Sequence, residues 1–408
     1  MLPSPNLDTA VPILLFKTHR YIIHHGALGV ARNLGQLGVP VYAIVDDRYV
    51  PHAISRYLTR SFILAATDLD PSRFLQDVLT IGKKLNRPTI LVPTDDRAAC
   101  FIAEHASELK RWFLFPHVAS ELPRQLANKM SLDALCKKFG LPCPQNAFPK
   151  SMEDVHEFIG RATFPVIVKT SAQWWPLDDF PSTQIVESPE KLLAIYQTVQ
   201  SLEDPALIFQ EYIPGDDWIV HGYSNQDTNC VVPFTGRKLR SYPAFVGGTA
   251  LGVSVANEPL ASQIEIFVNA IGYSGLMDLD CRFDQRDGKY KLLDFNPRLG
   301  MNFRMFDDQA GINPVRALHL DLTGRSVKRS PLVEGRIFIV ESYDLFACLS
   351  YLRRRKLTIL ELLASLRGSR ELAWFSWRDP LPFLAMCIRL LPKLIPHLGR
   401  ALRVRFRG

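Results

Sequence analysis

Tyr290-Lys291-Leu292-Leu293-Asp294-Phe295-Asn296-Pro297-Arg298 reads as a short buried strand that ends in polar groups. Asp294 and Asn296 are two apart, so on a strand their side chains share a face. Asp280 lies fourteen residues upstream of Asp294, in the apolar run Leu276-Met277-Asp278-Leu279-Asp280-Cys281-Arg282-Phe283, which also reads as a strand. Between the two runs, Gln285-Arg286-Asp287-Gly288 carries an Asp-Gly hairpin signal. A hairpin of this register can hold Asp280, Asp294 and Asn296 together. Two carboxylates and an amide oxygen are hard ligands suited to Mg²⁺ with bound phosphates. Arg298 adds a fork-shaped cation suited to phosphate or carboxylate. The competing reading is that Asp294 and Asn296 only form a turn at a strand end.

The length, 408 residues, allows two or three domains and a large core. At 47% hydrophobic and 22% charged, the composition is that of a globular protein. The seven cysteines are scattered, with no Cys-x-x-Cys pair, which argues against zinc and a disulfide framework and for a reducing compartment. Met1 to Asp8 has neither a basic start nor an apolar core, so no secretory signal is expected. No apolar run approaches the roughly 20 residues needed to span a bilayer. A cytoplasmic protein is therefore expected, with attachment to the cytoplasmic face of a membrane as a variant considered below. The net charge of +7 is unevenly spread: Ser350 to Gly408 holds 13 Lys/Arg and 3 Asp/Glu, a net of +10, and the rest holds 35 and 38, a net of −3. A nearly neutral body argues against a nucleic-acid-binding protein.

Val11 to Phe16 is a buried-strand run, Gly29 to Gln36 is helical in pattern, and Val39 to Val45 is a strand ending at Asp46-Asp47. This is the βαβ unit of an open parallel sheet. Ile90 to Pro93, ending at Thr94-Asp95-Asp96, and Phe113 to Pro116 are expected to complete it. Residues 1–118 thus form one small doubly wound domain, whose ligands would sit at the carboxyl ends of the strands. His25-Gly26-Ala27-Leu28-Gly29, with Asp46 twenty residues after Gly26, weakly suggests a dinucleotide site. However, His24 stands where the first glycine of that motif belongs, and a tight turn before a helix also explains Gly26. Beyond residue 120 the pattern changes. A helix follows Asn128-Lys129, and a second runs from Ser151 to Gly160, with Ser151 and Asp154 as a capping pair. Val166-Ile167-Val168-Lys169 is a strand with a lysine at its end, and Ala206 to Gln210 leads into Glu211-Tyr212-Ile213-Pro214-Gly215-Asp216-Asp217.

Residues able to handle a nucleotide now stand in order: Lys129, Lys169, Glu211, Asp280, Asp294, Asn296 and Arg298. Two lysines from different elements can flank α- and β-phosphates. Glu211 can accept from an adenine amino group, and Asp216 or Asp217 can reach ribose hydroxyls. The three oxygen ligands can hold Mg²⁺ against the β- and γ-phosphates. On Leu292–Arg298, Phe164–Lys169 and Ile208–Gly215 in this order and spacing, the chain resembles the ATP-grasp superfamily of carboxylate–amine ligases over about residues 11–325.

The resemblance implies an ATP-grasp fold, mixed α/β and α+β. A Rossmann-like preATP-grasp domain (1–118) would precede an ATP-grasp domain of two lobes clasping ATP (119–325); beyond the resemblance, the charge and leucine pattern of 326–408 reads as a basic, helical C-terminal extension. The resemblance implies that Lys129 and Lys169 bind phosphates and Glu211 and Ile213 adenine, beside Asp217 as the nucleotide-binding candidate read from the residues. Asp280, Asp294 and Asn296 would hold Mg²⁺, or Mn²⁺ in its place. Arg298 would stabilise an acyl phosphate. Thr235-Gly236-Arg237-Lys238-Leu239-Arg240-Ser241-Tyr242-Pro243 with Gly247-Gly248-Thr249 is similar to the branch that includes D-aspartate ligase and related amino-acid ligases. There Lys238 joins Arg298 as a catalytic candidate, binding a substrate carboxylate or the γ-phosphate. The basic run Arg237, Lys238, Arg240 also reads as a solvated strand face.

One departure is visible. Many members carry a glycine-rich phosphate lid after the second lysine, whereas Thr170-Ser171-Ala172-Gln173-Trp174-Trp175-Pro176 has no glycine. The expected function is ATP-dependent amide or peptide bond formation between small carboxylate and amine substrates, one of them an amino acid. The alternatives are a nucleotide-binding regulatory protein without turnover and an NAD-dependent enzyme. A homodimer is the default assembly. In the extension, Arg389, Lys393, His397, Arg400, Arg403 and Arg407 recur every three or four residues between leucines. That is the pattern of a helix lying in an anionic membrane surface, although Pro392 and Pro396 would interrupt it.

Overall fold

Strand and helix alternate from the start of the chain: β1 (Ile13–Phe16), α1 (His25–Gly35), β2 (Val41–Val45), β3 (Arg60–Ile63), α2 (Pro71–Leu85), β4 (Thr89–Pro93), α3 (Asp96–Glu104), α4 (Ala106–Leu109) and β5 (Phe113–Leu114). In this computed structural model, which describes residues 3–19, 23–64, 70–170, 183–199, 207–365, 367 and 370–391, the five strands form a parallel sheet of order β3-β2-β1-β4-β5. α1 begins a turn earlier than its apolar pattern suggests, because the His24 side chain caps it, accepting from Ala27 N at 2.9 Å. The phosphate-lid stretch 171–176 and the cationic repeat at Lys393, His397, Arg400, Arg403 and Arg407 lie outside the described residues.

Two short helices, α5 (Leu122–Ala127) and α6 (Lys129–Phe139), lead out of this domain. α6 starts at Lys129 because the Asn128 side chain accepts from Met130 N and Ser131 N, and it stops at Gly140, where φ is +69°. A small lobe follows, with β6 (Asn146–Ala147), α7 (Met152–Arg161), β7 (Val166–Thr170), β8 (Thr183–Val186), α8 (Pro189–Val199) and β9 (Leu207–Glu211). Ser151 and Asp154 form the expected capping box on α7. The four strands pair antiparallel in the order β6-β9-β7-β8 over a core of their own that includes Val155, Val168, Val186 and Phe209.

The larger sheet holds β10 (Asp217–Asn225), β11 (Cys230–Tyr242), β12 (Gly248–Ser254), β13 (Gly275–Asp284) and β14 (Lys289–Asn296), with α9 (Glu258–Ala270) and α10 (Pro314–Leu322) among its helices. The hairpin read from the sequence is present: β13 pairs antiparallel with β14, and Gly288 closes the turn at φ +68°. The extension after residue 326 is not helical alone. β15 (Ile337–Ile339) and β16 (Arg370–Leu372) add to the sheet, giving β14-β13-β10-β11-β12-β15-β16, between α11 (Glu341–Arg353), α12 (Ile359–Ser365) and α13 (381–391). The apolar triplet Ile337-Phe338-Ile339 lies in the extension expected to be helical, and it instead pairs with the otherwise open edge of β12.

One core joins the first domain, the larger sheet and the extension, running through Leu15, Val30, Phe234, Phe303, Phe338 and Trp374. Beside it, Arg32 and Asp379 form an ion pair at 3.0 Å with both side chains 2% exposed. Asp379 also accepts from Ser55 Oγ at 2.7 Å and Arg56 N at 3.1 Å, and Arg32 Nη2 donates to Asp379 O at 2.7 Å. Asp379→Asn keeps the shape but leaves a buried guanidinium without its counter-charge. It is expected to lower stability by about 3 kcal/mol, read from urea unfolding, with an unchanged m-value.

Candidate active site

The β13–β14 hairpin sets the site. Asp280 lies directly opposite Asp294 and Asp278 opposite Asn296, and a register shift follows between Asp280 and Cys281. Asp278 and Asp280, two apart on β13, share a face. Each expected cation ligand on this hairpin has a polar partner. Lys129, the first residue of α6, forms an ion pair with Asp294. Lys238 on β11 reaches Asp280 Oδ1 at 2.8 Å and Gly247 O at 3.4 Å. Asn296 Nδ2 donates to Asp278 O at 3.1 Å, which commits its nitrogen and leaves the amide oxygen as the group for a cation. Burial raises the pKa of Asp294, but the ammonium groups of Lys129 and Lys169 and the Arg298 guanidinium outweigh it and hold the carboxyl below its ordinary value. For Lys238, burial works against the charge, and Asp280 and Asp217 more than restore it, so its pKa is raised.

Arg298 sits where the hairpin meets the first domain. Leu299 N donates to Pro93 O at 3.1 Å, tying the segment to the carboxyl end of β4. The Arg298 guanidinium is held between two carboxylates: Nη1 donates to Asp278, and Nε lies 3.6 Å from Asp96 Oδ1. Asp278 is in turn 2.9 Å from His221 Nε2, its register partner on β10. Burial disfavours the Asp278 carboxylate, but His221 and Arg298 prevail and its pKa falls. Asp96 is the reverse case: burial dominates over Arg298 and pushes it up to about 6. The first domain therefore presents a carboxyl of raised pKa beside the Arg298 cation. Gly26 packs against the segment just after it, since a Cβ there would lie 3.0 Å from Met301 Cα. That close approach accounts for the glycine without a dinucleotide.

Lys169 comes from the other side, on β7 of the small lobe. A narrow cleft between the lobes is lined by Lys129, Lys169, Cys136, Cys143, Gln210 and Leu292. Burial, reinforced by Lys129, lowers the Lys169 pKa to about 8. Only the protonated amine attracts phosphate. Affinity for a nucleoside triphosphate is thus expected to be full below about pH 8 and to fall as pH rises through it, with proton uptake on binding above that pH. Titration calorimetry in buffers of different ionisation enthalpy reads this directly, and Lys169→Arg should flatten the profile.

The remaining expected residues are engaged with protein partners. The Glu211 carboxylate accepts from Gln145 N at 3.1 Å and pairs with Arg286 at 2.5 Å. Asp217 pairs with Arg282, whose Nε is 2.6 Å away, and Arg282 Nη1 donates to Ile213 O at 3.1 Å. Asp216 pairs with Arg237 at 2.7 Å. Arg240 turns away from the site into a buried ion pair with Asp344 at 2.7 Å, so the basic run of β11 divides: only Lys238 joins the hairpin carboxylates. Sequence reading missed Asp278 and His221. The spacing Asp278-Leu279-Asp280 held the signal for the first, whereas nothing local marks His221.

Among the described residues no group of three His, Cys, Asp or Glu forms a metal cage. The donor set of two carboxylates and an amide oxygen suits Mg²⁺, which keeps waters and shares its coordination with substrate phosphates. The ammonium groups of Lys129 and Lys238 balance the same two carboxylates.

No family model matches the chain. Its sequence is similar to that of D-aspartate ligase from Enterococcus faecium (strain Aus0004), 26% identical over 352 residues, 82% of this chain and 80% of that protein. Its fold is similar to N5-carboxyaminoimidazole synthetase from Staphylococcus aureus complexed with ADP, with a TM-score of 0.63 at 11% identity, covering 87% of this chain and 88% of the other. It is also similar to L-amino acid ligase from Bacillus licheniformis, with a TM-score of 0.57 at 16% identity, covering 78% and 75%.

Proposed function

We propose that this chain, which has the ATP-grasp fold, is an ATP-dependent carboxylate–amine ligase that forms an amide or peptide bond through an acyl phosphate. The observation that carries this reading is the facing pair Asp280 and Asp294, each matched to a lysine from a different element, with Arg298 beside them. Such a set binds a polyphosphate and neutralises charge as the γ-phosphoryl moves. In this reading Lys129 and Lys169 hold the α- and β-phosphates. The adenine end falls to Glu211 and Ile213 and the ribose to Asp217. Asp280, Asp294 and Asn296 would hold Mg²⁺, or Mn²⁺, whose charge offsets that of the phosphates.

The substrate carboxylate attacks the γ-phosphorus, ADP leaves, and an acyl phosphate forms. An amine then attacks the acyl carbon, and inorganic phosphate leaves from the tetrahedral intermediate. The protein's part is placement and fixed charge. Arg298, clamped by Asp278 and Asp96, faces the acyl phosphate, and Lys238 faces the transferring phosphoryl or the substrate carboxylate. Two of the similar proteins are named for amino-acid substrates, which favours an amino acid as one partner here.

The test is ADP release with ATP, Mg²⁺ and a panel of amino acids paired with small carboxylates, followed by mass analysis for the amide. ADP release that requires both a carboxylate and an amine is the expected result. Tight ATP binding with no release across the panel would replace the ligase with a nucleotide-binding regulator.

A further inference from the structure

Helix α13 has no polar face. Its sequence, Leu381-Pro382-Phe383-Leu384-Ala385-Met386-Cys387-Ile388-Arg389-Leu390-Leu391, contains one charged residue, and Arg389 is committed to Asp47 at 2.7 Å. Phe383, Met386 and Leu390 turn inward onto the main core. Leu381, Leu384, Ile388 and Leu391, spaced three, four and three apart, form a stripe on the opposite side, where Leu384 is 53% and Ile388 66% exposed. Trp377, in the turn just before the helix, is 87% exposed. A helix apolar all round is stable only when both faces are covered, and here one face is open to solvent.

We propose that this face docks on an anionic membrane surface. The occupant follows from charge. Residues 350–408 hold 13 Lys/Arg against 3 Asp/Glu, a net of +10, and beyond Leu391 the chain carries Lys393, Arg400, Arg403, Arg405 and Arg407 with no acidic residue. The chain that runs on from this helix therefore carries only positive charge, so a second copy would bring like charge to like, whereas acidic lipid headgroups complement it. An exposed tryptophan beside aliphatic side chains suits the boundary between headgroups and acyl chains. The stripe is too short to cross a bilayer, and no helix among the described residues is long and apolar enough to do so. Docking is therefore peripheral. The buried Arg32–Asp379 pair and the Arg389–Asp47 pair fix α13 to the first domain, so a docked α13 carries the catalytic body with it rather than acting as a loose tether.

The proposal is tested with the full chain and sedimented vesicles, one set containing about 30 mol % phosphatidylglycerol and the other phosphatidylcholine alone. The protein is expected to pellet with the anionic vesicles and to be released when salt rises from about 0.1 to about 0.5 M. Leu384→Glu with Ile388→Glu, both at exposed positions, should reduce partitioning at least about tenfold with an unchanged melting curve. Two results would overturn the idea: failure of the wild type to pellet, or equal pelleting of the double variant. A third is a wild-type dimer that the double substitution splits without any vesicle effect, which would give the face to a second copy. None of these readouts depends on turnover, so they stand apart from the ligase reading.

Discussion

Asp294→Asn is expected to lower ADP release by about 10³-fold while the protein still folds. The side chain is isosteric, so the β13–β14 pairing and the packing of Phe295 beneath it remain. What disappears is one of the two facing negative charges and the counter-charge of Lys129. A cation shared with phosphates would then have one strong protein ligand instead of two. Raising Mg²⁺ should therefore recover part of the rate, and the Mg²⁺ concentration for half-maximal rate should shift upward. Initial rates across a Mg²⁺ series check this. An unchanged rate at every concentration would remove Asp294 from the site.

Arg298→Lys keeps the charge and loses the fork. It is expected to cost about 10²-fold in kcat, with KM for ATP changed far less. The guanidinium meets Asp278 through Nη1 and lies near Asp96 through Nε, and Nη1 also donates to Leu299 O at 3.0 Å. An ammonium group cannot hold these directions at once, so its charge is present but unaimed. The split between kcat and KM separates this from loss of nucleotide binding. A kcat within about threefold of the wild type would show that the arginine is a structural clasp between the hairpin and the first domain.

Much of this site was legible because it is local. Asp294, Asn296 and Arg298 lie within five residues, and the Asp-Gly turn fixes the register that brings Asp280 opposite. Lys129 could be placed at a helix start because Asn128 is a strong N-cap. The long-range pairings were not legible. Glu211 with Arg286, Asp217 with Arg282 and His221 with Asp278 are matches between segments far apart in sequence, and charge alone does not choose among the available partners. The C-terminal region was misjudged for the opposite reason. Its composition is dominated by basic and leucine-rich helical segments, whereas the triplets that complete the sheet, Ile337–Ile339 and Arg370–Leu372, are too short for a period-two pattern to stand out.

The cores divide the molecule mechanically. The first domain, the larger sheet and the extension share one packed interior, whereas the small lobe is built around another. The first assembly is a stator and the second a rotor. Lys129, Asp280, Asp294 and Arg298 all ride on the stator, and their mutual distances are fixed by strand register and part-buried ion pairs. Lys169 alone among the phosphate-binding candidates rides on the rotor. A tilt of the small lobe would leave the hairpin strands paired and change how closely that ammonium approaches the cleft, with the Glu211–Arg286 pair at the lobe boundary as its tether. The stroke of such a machine is the travel of a positive charge.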